Sequence, residues 1–174
     1  FTSLYPVLLN LGKNENLSDA IKSVKEQLRM IPDKGIGYGV LKYINKNENL
    51  IANEKFDVIF NYLGQLDNVM SSGKLLTTSG ESADAVSSDE NIVNYKIAVN
   101  SMVQGSELKV NWSFSKLHYE KETILKLAKS FNENLESIIS HCIEQKKTGE
   151  YFTPSDFGFG SEISYSELDE FMEE

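Results

Sequence analysis

A single cysteine, Cys142, in 174 residues leaves no internal disulfide to form and no paired-cysteine metal motif to build. A chain that does without disulfides suits a reducing compartment, so a cytoplasmic location is expected. Histidine is nearly as scarce, with His118 and His141 alone. His118 has no carboxylate or cysteine at ligand spacing, and no zinc site is expected. His141 adjoins Cys142, but neighbours on a helix point about 100° apart and cannot act as base and nucleophile together. Nothing approaches ~18 consecutive apolar residues, so no membrane span is expected. Basic charge is outweighed, 17 Lys and Arg against 26 Asp and Glu, for a net charge of −9. That is the wrong sign for gripping a phosphate backbone, and no nucleic-acid partner is expected. Gly35-Ile36-Gly37-Tyr38-Gly39 fails as a dinucleotide fingerprint, because the third glycine would fall at Val40 and the stretch follows a helix, not a strand.

What remains is a chain with ordinary globular composition, 40% hydrophobic and 25% charged. A chain of this length can bury about 70% of its unfolded surface, which suits one domain or one lobe of a larger one. Residues 1 to 12 read as an extended segment demoted by Pro6 to an edge or irregular strand. Ser18 is the expected N-cap of a helix with apolar positions Leu17, Ile21, Val24, Leu28 and Ile31, ended by Pro32. Gly35, Gly37 and Gly39 predict a tight bend, and Val40 to Ile44 a short helix. Residues 71 to 90, without periodicity, read as a surface loop. Period-2 alternation over Val93–Val99 and Leu108–Phe114 predicts a hairpin turning at Gln104-Gly105-Ser106, each strand with one core face and one wetter face. A long helix follows from about Glu120 to Gln145, with Ile124, Leu127, Ala128, Phe131, Leu135, Ile138 and Cys142 on its core stripe and His141 facing outward. The expected class is α/β, a mixed sheet of about four or five strands with two main helices packed on it. Much of the acidic excess lies from Glu162 to Glu174, which reads as a solvated tail or a docking helix.

One stretch asks a chemical question. Val58 to Leu63 is apolar on both faces apart from Asn61, as expected for a buried central strand closing at Gly64. Asn61 shares a face with Ile59 and Leu63, and Tyr62 shares the other with Val58 and Phe60. An unpartnered buried amide costs about 1–3 kcal/mol, so Asn61 either bonds its neighbours or lines a polar cavity. A phenol ionises near pH ~10, and the stretch supplies no Lys or Arg to lower that. Tyr62 therefore reads as a hydrogen-bond or proton donor, not a base, with plain packing as the competing account.

Phe1-Thr2-Ser3-Leu4-Tyr5-Pro6-Val7, then Ile31-Pro32-Asp33-Lys34-Gly35-Ile36-Gly37-Tyr38-Gly39-Val40-Leu41, then Phe60-Asn61-Tyr62-Leu63-Gly64-Gln65 resemble three ordered core motifs of the epimerization domains of nonribosomal peptide synthetases. Thr153-Pro154-Ser155-Asp156-Phe157 resembles the segment that closes such domains. The resemblance implies a two-lobed chloramphenicol-acetyltransferase-like fold with a tunnel between lobes. This chain resembles the C-terminal lobe over residues 1–157, followed by an acidic tail or linker over 158–174. The HHxxxDG motif and the glutamate motif of the family are expected to lie upstream of Phe1, so the chain reads as cut from something longer and the isolated chain as inactive. The implied reaction inverts Cα of an aminoacyl or peptidyl thioester by proton removal and return, with Asn61 as a positioning or oxyanion hydrogen bonder and Tyr62 as a donor near the reacting carbon. No metal or bound cofactor is implied, since phosphopantetheine arrives on a partner carrier domain. The other implied partners are the N-terminal lobe of the same domain and a downstream condensation domain. The related alternatives are a lobe of a peptide-bond-forming condensation domain and a catalytically silent docking lobe.

Overall fold

The computed structural model of the chain describes residues 4–12, 16–52, 56–65, 95–148, 153–158, 163, 167–168 and 170–171. The expected loop at 71–90, Val93 and Gly149 lie outside them. The chain divides into two compact units, Glu54–Ser130 and Phe1–Asn53 with Phe131–Glu174. The class is α/β with a mixed sheet, as expected.

The unit Glu54–Ser130 is built on a three-stranded sheet in the order β1 (Val58–Gln65), β2 (Ile97–Gln104), β3 (Glu107–Phe114). β1 and β2 run parallel, and β2 and β3 form the hairpin. Gly105 and Ser106 both have left-handed φ, 62° and 61°, the conformation of a two-residue turn whose twist matches the strands it joins. The parallel pair is fixed at its start by Asp57, whose backbone carbonyl accepts from the N–H groups of Lys96 and Ile97, each at 2.9 Å. The side chains of Asp57 and Lys96 also form an ion pair at 2.8 Å. The hydrogen bond from this pair raises the pKa of Lys96.

Register puts Val58, Ile97 and Phe114 in one row, and Phe60, Val99 and Trp112 in another on the same face. Against that face packs the start of α4 (Lys121–Thr148), so that Ile97, Val99 and Ile124 form a core with Val110, Trp112, Phe114 and Tyr119 around it. Ser101, next along that face of β2, is buried as well. Ala98, on the opposite face, is also buried, so the first half of β2 is covered on both sides, unlike the one-faced strand expected. β3 keeps the predicted alternation, with Val110, Trp112 and Phe114 half-buried between exposed neighbours.

The expectation for β1 is corrected in two respects. It is an edge strand of the described sheet, and Val58, Phe60, Tyr62 and Leu63 are exposed. Apolar content on both faces read as burial, whereas α4 covers β2 and β3. The strand also does not end at Gly64. It continues to Gln65 through a bulge in which Gly64 takes φ 78°, a conformation that suits a residue without Cβ.

In the other unit α1 (Leu17–Arg29) is capped by Asn16, not Ser18. The Asn16 Oδ1 accepts from the Asp19 N–H at 2.9 Å, and the Asn16 Nδ2 donates to the Asp19 carboxylate at 2.8 Å, a reciprocal cap that starts the helix ahead of Ser18. Residues 4–12 form no strand. Instead Gln27 of α1 satisfies the backbone of Asn10, accepting its N–H at 2.9 Å and donating to its carbonyl at 2.8 Å. After α1, Asp33, Lys34 and Gly35 are all left-handed, with φ of 47°, 53° and 80°. Gly37 and Gly39, expected to serve the bend, lie instead in α2 (Ile36–Gly39), which runs into a π-helical turn at Val40–Ile44 and then α3 (Glu48–Ala52). Of the three glycines, Gly35 alone lies in the bend, with Asp33 and Lys34.

The half-buried stripe of α4 runs Ala128, Phe131, Leu135, Ile138, His141 and Gln145. It steps by three after Ile138, not four, so His141 is partly covered and Cys142 exposed, the reverse of the expectation. Leu127, expected on the stripe, is exposed too. Leu168 is buried at 3% exposure, within the segment read as an acidic tail.

Candidate functional site

Asn61 and Tyr62 lie next to each other on β1 and point to opposite faces of the sheet. Tyr62 is on the face that α4 packs against further along, beside Ser101, and is 53% exposed. Asn61 is half-buried on the other face and bonds its neighbours, one of the two outcomes its sequence context allows. Its Nδ2 donates to Asn100 Oδ1 at 3.4 Å, and its backbone carbonyl accepts from Ser101 Oγ at 3.3 Å. Two consecutive residues of β2 thus hold Asn61 at side chain and main chain. A small group lying over one face meets Asn61 or Tyr62, so a single reacting centre can meet both only at the edge that β1 forms in the described sheet.

Asn100 is in register with Asn61 on one side and with Asn111 of β3 on the other. Three carboxamides therefore cross the sheet in one row on the face away from the Ile124 core, and Ser113 Oγ donates to Asn111 Oδ1 at 3.5 Å. Sequence reading placed Asn100 and Asn111 on wetter strand faces but gave no reason to join them to Asn61. Only the parallel register of β1 on β2 does that. A carboxamide both donates and accepts, so the row can orient a polar group or hold a developing negative charge on oxygen without being charged itself.

The other motifs lie in the second unit. Gly35 is buried, and a Cβ on it would overlap the ring of Tyr5, so the first two motifs meet at this glycine. The Thr153-Pro154-Ser155-Asp156-Phe157 segment forms a short 3-10 turn at Pro154–Phe157 that is tied to α1 through Asp156. Its carboxylate accepts from Lys25 Nζ at 2.5 Å, Arg29 Nη1 at 2.6 Å, and the Thr153 N–H at 2.8 Å and hydroxyl at 3.0 Å. Burial pushes the carboxyl up, but the bonds from Lys25, Thr153 and Arg29 outweigh it and hold the group well below the usual carboxylate range. Thr153 itself is 1% exposed. The Thr-x-x-Asp spacing signals the local turn, while the partners on α1, more than a hundred residues away, carry no sequence signal. His118 is engaged locally, its Nδ1 lying 2.9 Å from Ser115 Oγ. Among the described residues, no three His, Cys, Asp or Glu side chains converge as a metal site requires, and no helix is long and apolar enough to cross a membrane.

The profile of the condensation domain matches residues 1–158. The chain belongs to the condensation-domain family. Among curated relatives, this condensation-family chain is 41% identical over 170 residues to bacitracin synthase 3 of Bacillus licheniformis, covering 98% of the chain and 3% of that protein. To tyrocidine synthase 2 of Brevibacillus parabrevis it is 38% identical over 176 residues, covering 99% and 5%. Among solved structures, the epimerization domain from the third module of tyrocidine synthetase B superposes with a TM-score of 0.69 at 35% identity, over 82% of this chain and 32% of that one. The chain thus spans a few per cent of those synthases and about a third of the solved domain. The resemblance to nonribosomal peptide synthetase domains, drawn from the ordered motifs, is shown by these relatives.

Proposed function

We propose that this chain contributes to an epimerization domain that inverts Cα, from L to D, of an aminoacyl or peptidyl thioester carried on the phosphopantetheine arm of a carrier domain. The observation that carries the reading is the likeness, at 35% identity over 82% of the chain, to a solved domain named for epimerization. The carboxamide row supports it chemically. Removing the Cα proton drives electron density onto the thioester oxygen, and a neutral donor aimed at that oxygen stabilises it without binding the ground state as strongly. Asn61 spends one Nδ2 hydrogen on Asn100 and keeps the second for such an oxygen. Tyr62, on the other face, is assigned the donor role near the reacting carbon. The base and acid come largely from the N-terminal lobe of the same domain, which with the carrier domain and a downstream condensation domain completes the set of partners. Residues 1–157 form the lobe, and 158–174 the tail or linker, of an enzyme working in the cytoplasm. No cofactor is held by the chain itself.

A full-length domain carrying this sequence, given an aminoacyl-loaded carrier domain in deuterated water, should place deuterium at Cα and move the D/L ratio. Asn61→Ala should lower turnover about 10²–10³-fold, as loss of an oxyanion donor does. Tyr62→Phe should lower it by about 10²-fold or more if the phenol moves a proton. Full turnover in both variants would overturn the site. The matching family profile, which is that of condensation, favours a second reading. Under it no exchange occurs, and a peptide bond forms once a second loaded carrier is supplied.

A further inference from the structure

We propose that Asn100 is a positioning residue for the reaction assigned above, acting through Asn61 by holding its carboxamide in one orientation over the sheet face away from α4. The proposal rests on the reading of Asn61 as the group that bonds the developing oxyanion. An Asn side chain turns easily about its last torsion, whose energy profile is broad, so an unheld carboxamide presents nitrogen and oxygen in many directions. A donor that must meet charge as it forms works only if it is oriented beforehand. On β1 nothing local does this, because the same-face neighbours Ile59 and Leu63 are apolar and offer no hydrogen bond. Asn100 supplies it from the next strand. It sits in register with Asn61, and its Oδ1 accepts one of the two Nδ2 hydrogens, which directs the other outward.

Two features make Asn100 a suitable holder. It lies on β2, the middle strand, which is paired on both sides and so has a fixed backbone. Its same-face neighbours on β2 are Ala98 and Met102, so its own carboxamide has no polar competitor along the strand. At 3.4 Å the bond is longer than the roughly 2.7–3.2 Å of a strong one, and it sets direction more than it adds stability. The main-chain bond from Ser101 to the Asn61 carbonyl, from the other face of β2, fixes the peptide and leaves the side chain to Asn100.

The test uses the full-length domain with a loaded carrier, following Cα deuterium exchange with kcat and KM determined separately, and thermal unfolding alongside. Asn100→Ala should lower kcat about tenfold and leave KM within about twofold. Asn100→Thr, which keeps strand propensity but falls short of Asn61, should do the same and serves if the alanine variant does not fold. The decisive comparison is the double variant. If Asn100 acts only through Asn61, adding Asn100→Ala to Asn61→Ala lowers kcat by less than about twofold further. Wild-type kcat in the Asn100 variants, or effects that multiply in the double variant, would overturn the positioning role while an impaired Asn61→Ala leaves the proposed function standing. Wild-type exchange in Asn61→Ala would bring down the positioning role together with the oxyanion role of Asn61, whereas no exchange in the unaltered domain would bring down the proposed function itself.

Discussion

Position 35 needs glycine for two independent reasons. Its φ of 80° is a left-handed conformation that disfavours a side chain, and a Cβ would run into the Tyr5 ring. Gly35→Ala should therefore cost about 2 kcal/mol or more, read as a lower denaturation midpoint. Gly37→Ala and Gly39→Ala should go the other way, by up to about 1 kcal/mol, because both glycines are helical and a Cβ on either meets open space. Three glycines at alternate positions look equivalent in sequence, and only the backbone separates them. Asn61 was legible as the odd polar residue of an apolar strand, since that inference needs composition alone. Asn100 was not, because its partner is set by the pairing of strands 39 residues apart.

At the scale of elements, the joint between the Thr153–Phe157 turn and α1 depends on a single carboxylate. Asp156 is held ionised below its ordinary value of 3.8, so its contribution is complete above about pH 4 and is lost as the pH falls through the depressed value. Asp156→Ala should lower stability at neutral pH by about 1–3 kcal/mol, a range set by ion pairs that remain partly open to water. Its unfolding free energy should also fall less steeply than the wild type's below pH ~4, and a parallel acid profile would show that Asp156 carries none of the pH dependence. Both main helices and the hairpin were readable as elements from 3.6-residue and 2-residue repeats, but the covered side was legible only in part, since Leu127 and Cys142 are exposed and Ala98 is buried on the second face of β2. The edge position of β1 was not, since an apolar strand reads the same whether or not its neighbours are present.

For the chain as a whole, the proposed chemistry is divided between these 174 residues and a larger domain of which they match about a third. We expect the chain alone to give no Cα exchange with a loaded carrier, and inversion by it alone would show that Asn61 and Tyr62 do not depend on a base and acid from elsewhere. Large apolar side chains left open, Leu8 at 91% and Leu117 at 95% among them, should make the chain bind a hydrophobic dye. The extra residue at Gly64 bears on how such a chain can change length. Between Tyr62 and Gln65 β1 advances three residues while β2 advances two, so Gln65 joins the face that Tyr62 is on. Upstream, the Asp57 clamp anchors pairing, so a slip beyond the bulge need not travel back. The bulge thus acts as a phase insulator: insertions or deletions after residue 65 can be absorbed without turning Asn61 to the wrong side of the sheet.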